Sequence, residues 1–214
     1  MKPRPSVFVE GLESHIDENF VKRPNDVFYA MEEFAKEKNI PILSPASSAV
    51  LSKIVSWTKP KRIFEFGTGL GYSTLWMFYT NPNLEIVTID RNESQSRRMY
   101  LYAEEMGLPA STNIELVVGD VESFLDSMKL EPTHFDFFFI DCDKILYPKV
   151  FDFIWKRANP GTNLVFDNML WHGRILNPDP KKPSDSAVLE IWNQVKSLDY
   201  TLFPVGDGLL HLRK

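Results

Sequence analysis

Two apolar runs that stop abruptly at hard oxygen ligands constrain this chain more than any other feature. The first is Phe137-Phe138-Phe139-Ile140, followed at once by Asp141-Cys142-Asp143-Lys144. The second comes one helix-length later, Asn163-Leu164-Val165-Phe166 followed by Asp167-Asn168. An apolar run of strand length belongs in a strand buried on both faces, as in parallel sheets covered by helices. A carboxylate placed directly after such a strand sits at the carboxyl edge of the sheet, where open α/β folds bind ligands. Asp141, Asp167 and Asn168 are therefore candidate oxygen ligands for a divalent metal, and Lys144 is a candidate general base beside them.

The rest of the chain supplies the sheet these two strands need. From Lys61 the pattern alternates between strand and helix. Strands are expected at Arg62 to Phe66, Glu85 to Asp90, Ile114 to Val118, Phe135 to Ile140 and Asn163 to Phe166. Helices are expected at Thr74 to Tyr79, Glu93 to Met106, Val121 to Met128, Tyr147 to Lys156 and Ala187 to Leu198. Thr201 to Val205 and Leu209 to Leu212 flank Gly206-Asp207-Gly208 and read as a hairpin. Such alternation predicts an α/β fold: a doubly wound, mostly parallel seven-stranded sheet with an antiparallel C-terminal hairpin, the fourth and fifth strands lying side by side. Residues 1–58 read as a helical N-terminal cap, with a short helix near His15 to Val21, one from Asn25 or Asp26 to about Lys38, and one opening at Ser44-Pro45. We expect a single domain over 1–214, its core spanning 61–214. Residues 171–184 read as a loop rich in Pro, Asn and Asp.

Composition removes several function classes. A net charge of −5 provides no basic footprint for nucleic acid. Cys142 is the one cysteine, so no disulfide framework is expected, and a reducing cytoplasm is the natural setting. Met1 to Glu10 lacks the apolar core of a signal peptide, and no run approaches a membrane span.

The first strand of the alternation runs into Glu65-Phe66-Gly67-Thr68-Gly69-Leu70-Gly71-Tyr72-Ser73. Glycines between a strand and a helix let backbone approach a ligand closely. The spacing is G-x-G-x-G, which is neither the dinucleotide fingerprint nor a P-loop. Glu65 just ahead of it would repel a pyrophosphate and suit a cationic or amino-bearing ligand. Asp90 ends the second strand, where a carboxylate can accept from both ribose hydroxyls. Asp120 follows the third, where one can accept from an adenine amine. S-adenosylmethionine carries all three groups. Against this, Asp90 and Asp120 could simply cap the helices that follow them.

Together the segments EFGTGLGYS at 65–73, Asp90, Gly119-Asp120, FIDCDK at 139–144, DNMLWHG at 167–173 and PVGDGL at 204–209 give a specific resemblance. The chain resembles the cation-dependent class I O-methyltransferases of the catechol and caffeoyl-CoA type, bacterial relatives included, over roughly residues 40–214. That resemblance implies a Rossmann-like methyltransferase fold. It implies Asp141, Asp167 and Asn168 as metal ligands and Lys144 as catalytic base. It places Glu65, Gly67, Gly69, Ser73, Asp90, Asp120, Val121 and Asp141 around S-adenosylmethionine. The implied ion is Mg²⁺, with Ca²⁺ or Mn²⁺ as alternatives, and the implied assembly is a homodimer.

On this reading a methyl group passes to a hydroxyl of a small vicinal dihydroxy aromatic, once Lys144, its pKa lowered by metal and burial, takes the proton. The alternatives are a methyltransferase for a hydroxyuridine in tRNA, and a non-catalytic S-adenosylmethionine-binding module. A basic face including Lys2, Arg4, Lys22, Arg23, Lys181 and Lys182 would favour the tRNA. Several residues keep plainer readings open. Lys144 could pair with Asp143 on the surface, Trp171 could belong to core or pocket wall, and His172 could be a base or merely solvated. Cys142, Tyr147, Phe151 and Trp155 read as packing residues.

Overall fold

A computed structural model of the protein describes residues 9–81, 83–109, 113–127 and 129–214. Lys2, Pro3, Arg4, Pro5 and the expected helix end at Met128 lie outside these residues. Seven strands form one sheet: β1 (Arg62–Phe66), β2 (Glu85–Asp90), β3 (Ile114–Val118), β4 (Phe137–Ile140), β5 (Asn163–Phe166), β6 (Tyr200–Phe203) and β7 (Leu209–Arg213). Their order is β3-β2-β1-β4-β5-β7-β6. β1 to β5 run parallel, and β7 runs antiparallel to both β5 and β6. This is the doubly wound sheet with a terminal hairpin that the sequence pattern predicts.

β4 shows why an unbroken apolar run becomes a central strand. Side chains alternate across a sheet, so Phe137 and Phe139 enter the core on one face while Phe138 and Ile140 enter the core on the other. All four are fully buried, and each buried aromatic contributes roughly 2–3 kcal/mol. On the first face the core is completed by α2 (Val27–Lys38), α3 (Pro45–Thr58), α4 (Tyr72–Phe78) and α6 (Arg98–Glu105). On the second it is completed by α7 (Val121–Asp126), α8 (Tyr147–Arg157) and α9 (Pro183–Val195). α1 (Leu12–Asn19) docks beside α3, whose Ala46 N–H is held by the Asp17 carboxylate at 2.8 Å. No helix among the described residues is long and apolar enough to cross a membrane.

Some boundaries move, for local reasons. The helix expected over Glu93 to Met106 is two pieces, α5 (Glu93–Ser96) and α6, because the Tyr100 N–H takes the Arg97 carbonyl three residues back and tightens the ladder. β4 begins at Phe137, since Phe135 closes a 3₁₀ turn at Pro132–His134 and the Asp136 carboxylate accepts from Lys61 and Arg62 N–H. α9 starts at Pro183, not Ala187, with proline in its first turn. The expected loop before it contains a 3₁₀ segment, Trp171–Leu176, broken by left-handed backbone at His172 and Gly173.

Register aligns the strand ends. Phe66 pairs with Ile89 on one side and Ile140 on the other, and Ile140 pairs with Phe166. The next residue of each strand is therefore Gly67, Asp90, Asp141 and Asp167, four neighbours along one sheet edge. The approach is closest at Gly67. Its φ is 102°, and a Cβ there would stand 2.2 Å from the Asp141 carbonyl oxygen. Gly67→Ala is expected to destabilise the protein by about 3 kcal/mol, since both the backbone conformation and the space exclude a methyl. Urea denaturation checks it: an unchanged midpoint would show that the edge of β4 moves aside freely.

Candidate active site

A cleft of about 660 Å³ opens over the carboxyl ends of β1 to β5, where the strand order reverses between β1 and β4. One half is built by the glycine loop. The Asp90 carboxylate accepts from Gly69 N–H at 2.9 Å and from Asn92 N–H at 2.8 Å. It thus ties the loop to the end of β2, while Asn92 does the capping of α5. Asp120 does cap its helix, accepting from Ser123 N–H at 2.9 Å. Gly67, Gly69, Ser73, Asp90, Asp120 and Val121 all line the cleft.

Glu65 is the exception among the cofactor candidates. It lies fully buried behind the loop, not among the cleft-lining residues. Ser73 Oγ donates to it at 2.6 Å and Thr74 Oγ1 donates to its other oxygen. Position 65 points inward because β1 is covered on both faces, so the carboxylate braces the loop from below. Burial pushes it up to about 7 against those hydrogen bonds.

The other half follows β4 and β5. Lys144 donates to Asp141 Oδ1 at 2.8 Å and to the Cys142 carbonyl at 3.3 Å. It pairs with Asp141, not with Asp143, which instead caps the 3₁₀ turn Lys144–Leu146. The expected lowering of Lys144 was tied to a bound metal; the protein's own groups act the other way. Burial lowers it, but the attraction of Asp141, their hydrogen bond and the attraction of Asp167 outweigh that and hold it above the ordinary lysine value. Asp167 is 5 % exposed. Burial and then the Asp141 charge raise it well above a normal carboxylate, against a backbone hydrogen bond at Asn168 and the Lys144 charge. Its Oδ1 is buried with no hydrogen-bond partner among the described residues. Asn168, at φ 55°, turns the chain out of β5 and lines the cleft beside Asp141 and Lys144.

The expected metal set holds two carboxylates and one amide. Among the described residues no group of three or more His, Cys, Asp and Glu stands together as a metal cluster. The orphaned Asp167 oxygen and the hard donor set nevertheless fit a small divalent cation. The Cys142 thiol does not compete, because burial pushes it up to about 12.

Three features escape the sequence reading. Tyr147, taken as packing, lies within 3.1 Å of both the Ile140 and Asp167 carbonyls through its hydroxyl, stapling the ends of β4 and β5. Asp207 accepts from His172 N–H at 2.5 Å and from its own hairpin tip holds the Asn168–His172 segment, its carbonyl taking Leu170 N–H. The only hint was an acid between two glycines. Pro41, Ile42 and Leu43 bring the N-terminal cap into the cleft wall, a contact no local pattern announces. Trp171 also lines the wall, and His172 stacks on it at the exposed rim, 5.6 Å between ring centres.

A family model described as O-methyltransferase matches residues 26–214. The chain belongs to the O-methyltransferase family. The match begins inside the stretch for which the sequence resemblance had no counterpart. Among similar proteins is a catechol O-methyltransferase of Niastella koreensis, 27 % identical over 164 residues, covering 75 % of this chain and 73 % of that one. A caffeoyl-CoA O-methyltransferase of Stellaria longipes is 27 % identical over 185 residues, covering 80 % and 75 %. The fold is shared with an O-methyltransferase from Bacillus cereus in complex with SAH, at TM-score 0.80 and 22 % identity over 95 % and 97 % of the chains. It is also shared with TomG of Streptomyces achromogenes in complex with SAM, at TM-score 0.79 and 22 % identity over 95 % and 96 %.

The buried acid of this methyltransferase makes a pH prediction. Glu65 titrates near 4.5 when unfolded and at about 7 when folded. Between those values the folded state binds more protons, so stability falls as pH rises through that window. The shift corresponds to roughly 3 kcal/mol. Glu65→Gln should flatten the decline in urea-denaturation stability between pH 4.5 and 7; a slope equal to wild type would assign it to other groups.

Proposed function

We propose that this methyltransferase moves a methyl group from S-adenosylmethionine to one hydroxyl of a small vicinal dihydroxy aromatic, with a divalent cation bound at Asp141, Asp167 and Asn168. The observation that carries the reading is the juxtaposition of Lys144, Asp141 and the unsatisfied Asp167 oxygen at one end of a cleft whose other end is the glycine loop. The catechol and caffeoyl-CoA specificities of the relatives support the acceptor class. The SAM and SAH seen with fold neighbours support the donor.

Bound S-adenosylmethionine supplies an electrophilic methyl, and a hard divalent cation supplies positive charge that acidifies a coordinated hydroxyl. The chain's own residues do the rest. Backbone at Gly67 and Gly69, with the acids Asp90 and Asp120, receives the donor. Asp141 stands where donor and acceptor meet. Were Asp141 and Asp167 to hold a cation, the attractions that raise Lys144 would weaken and burial, which lowers it, would count for more. In its neutral form the amine would accept the acceptor hydroxyl's proton at Nζ. The enclosing strand ends hold the phenolate oxygen in line with the methyl, so orientation is the main contribution. A homodimer in the cytoplasm remains our proposal for its assembly and setting.

Lys144→Ala is expected to lower kcat at least a hundredfold on a catechol while the SAH dissociation constant changes less than threefold. A full rate in that variant would remove Lys144 as the base. Adding EDTA should abolish turnover, and Mg²⁺ should restore it; activity indifferent to chelation would sink the cation. In the same assay, methylation of tRNA and of no catechol would replace the acceptor class.

A further inference from the structure

Asp185 lies in the first turn of α9, at the end of a loop whose composition reads as solvent-exposed. Yet it is only 2 % exposed. Four donors converge on its two oxygens. Oδ1 accepts from the Trp171 indole N–H at 2.8 Å and from Arg174 Nη2. Oδ2 accepts from Arg174 Nε at 3.3 Å and from Asp179 N–H at 3.0 Å. A buried carboxylate is costly unless its oxygens are satisfied, and here the donors all belong to the segment that forms one wall of the cleft.

We propose that Asp185 is a positioning residue which locks the Trp171 ring as a flat wall for the aromatic acceptor. The indole N–H fixes the ring's rotation. The Arg174 guanidinium lies 4.9 Å from the ring centre, and the His172 ring stacks at 27° to it. Backbone at Trp171 is itself left-handed, with φ 49°. At the same time Trp192, also on α9, donates its indole N–H to the Met169 carbonyl at 2.9 Å, so the helix holds the segment at two points. Trp171 and Ser184 line the cleft together with Lys144 and Asp167. A ring held this way loses no rotamer freedom when a planar acceptor stacks on it, which favours flat aromatics over flexible alcohols. The inference rests on the aromatic-acceptor reading above and adds which residue enforces it.

The test uses protein labelled with 5-fluorotryptophan, whose five tryptophans give separate ¹⁹F signals, the Trp171 signal being assigned by its loss in Trp171→Phe. Asp185→Asn should shift that signal alone. It should raise the KM for a catechol about tenfold, with kcat and the SAH dissociation constant within twofold. The double variant should raise KM no further than the larger single change, because both act through one contact. A parallel loss of SAH affinity, an unaltered KM, or multiplying effects would each overturn the proposal. Catechol titration should also move the Trp171 signal in wild type and far less in Asp185→Asn. If wild type shows that movement but no methylation, the activity assignment fails while the role of Asp185 stands; if catechol moves no Trp171 signal, the positioning role fails.

Discussion

The contact between Gly67 and the backbone of Asp141 is the constraint on which the site depends. It exists because β1 and β4 are adjacent parallel strands in register, Phe66 beside Ile140. Only a residue without a side chain can leave β1 there, at φ 102° and against a carbonyl oxygen. That single close approach brings the glycine loop and the acidic end of β4 to one edge. A donor seated on the loop would therefore lie next to Asp141. The apolar interior supplies the force: aromatic side chains on both faces of β4 fix its register, because a slip of one residue would exchange the faces of every one of them.

Electrostatics at that edge are unfavourable by construction. Asp167 is buried beside Asp141 and is raised well above its ordinary value, while Lys144 is pulled upward by the same two acids. Such an arrangement leaves negative charge short of partners, and a cation would relieve it. Two braces surround it: Tyr147 joins the ends of β4 and β5, and the hairpin tip at Asp207 pins the segment after Asn168. The strand ends thus carry the candidate site residues, while the cleft wall on the 171–185 side is a segment tied to α9 through Asp185.

The legible part of the site was what strand periodicity can encode. Asp141, Asp167, Asn168, Asp90 and the glycines sit at ends of apolar runs, so their place on the sheet edge followed from position in sequence. The burial of Glu65 behind the loop was not legible, because local pattern does not say which face of β1 looks into a cleft and which into a core. Lys144 was legible as a neighbour of the β4 end, but its pairing with Asp141 and the balance between burial and two acids from different strands were not. Trp171 stayed ambiguous until its indole N–H was seen to reach α9.

By itself the sequence determined the order of strands and helices, the parallel sheet and the acidic strand ends, because hydrophobic periodicity is a local property written along the chain. Only the tertiary structure decided which of those acids are satisfied, which are left short of partners, and that a carboxylate on α9 reaches back to a tryptophan in the cleft wall. Those outcomes depend on burial and on donors distant in sequence, and neither is set until the sheet and its two helical layers have closed around them.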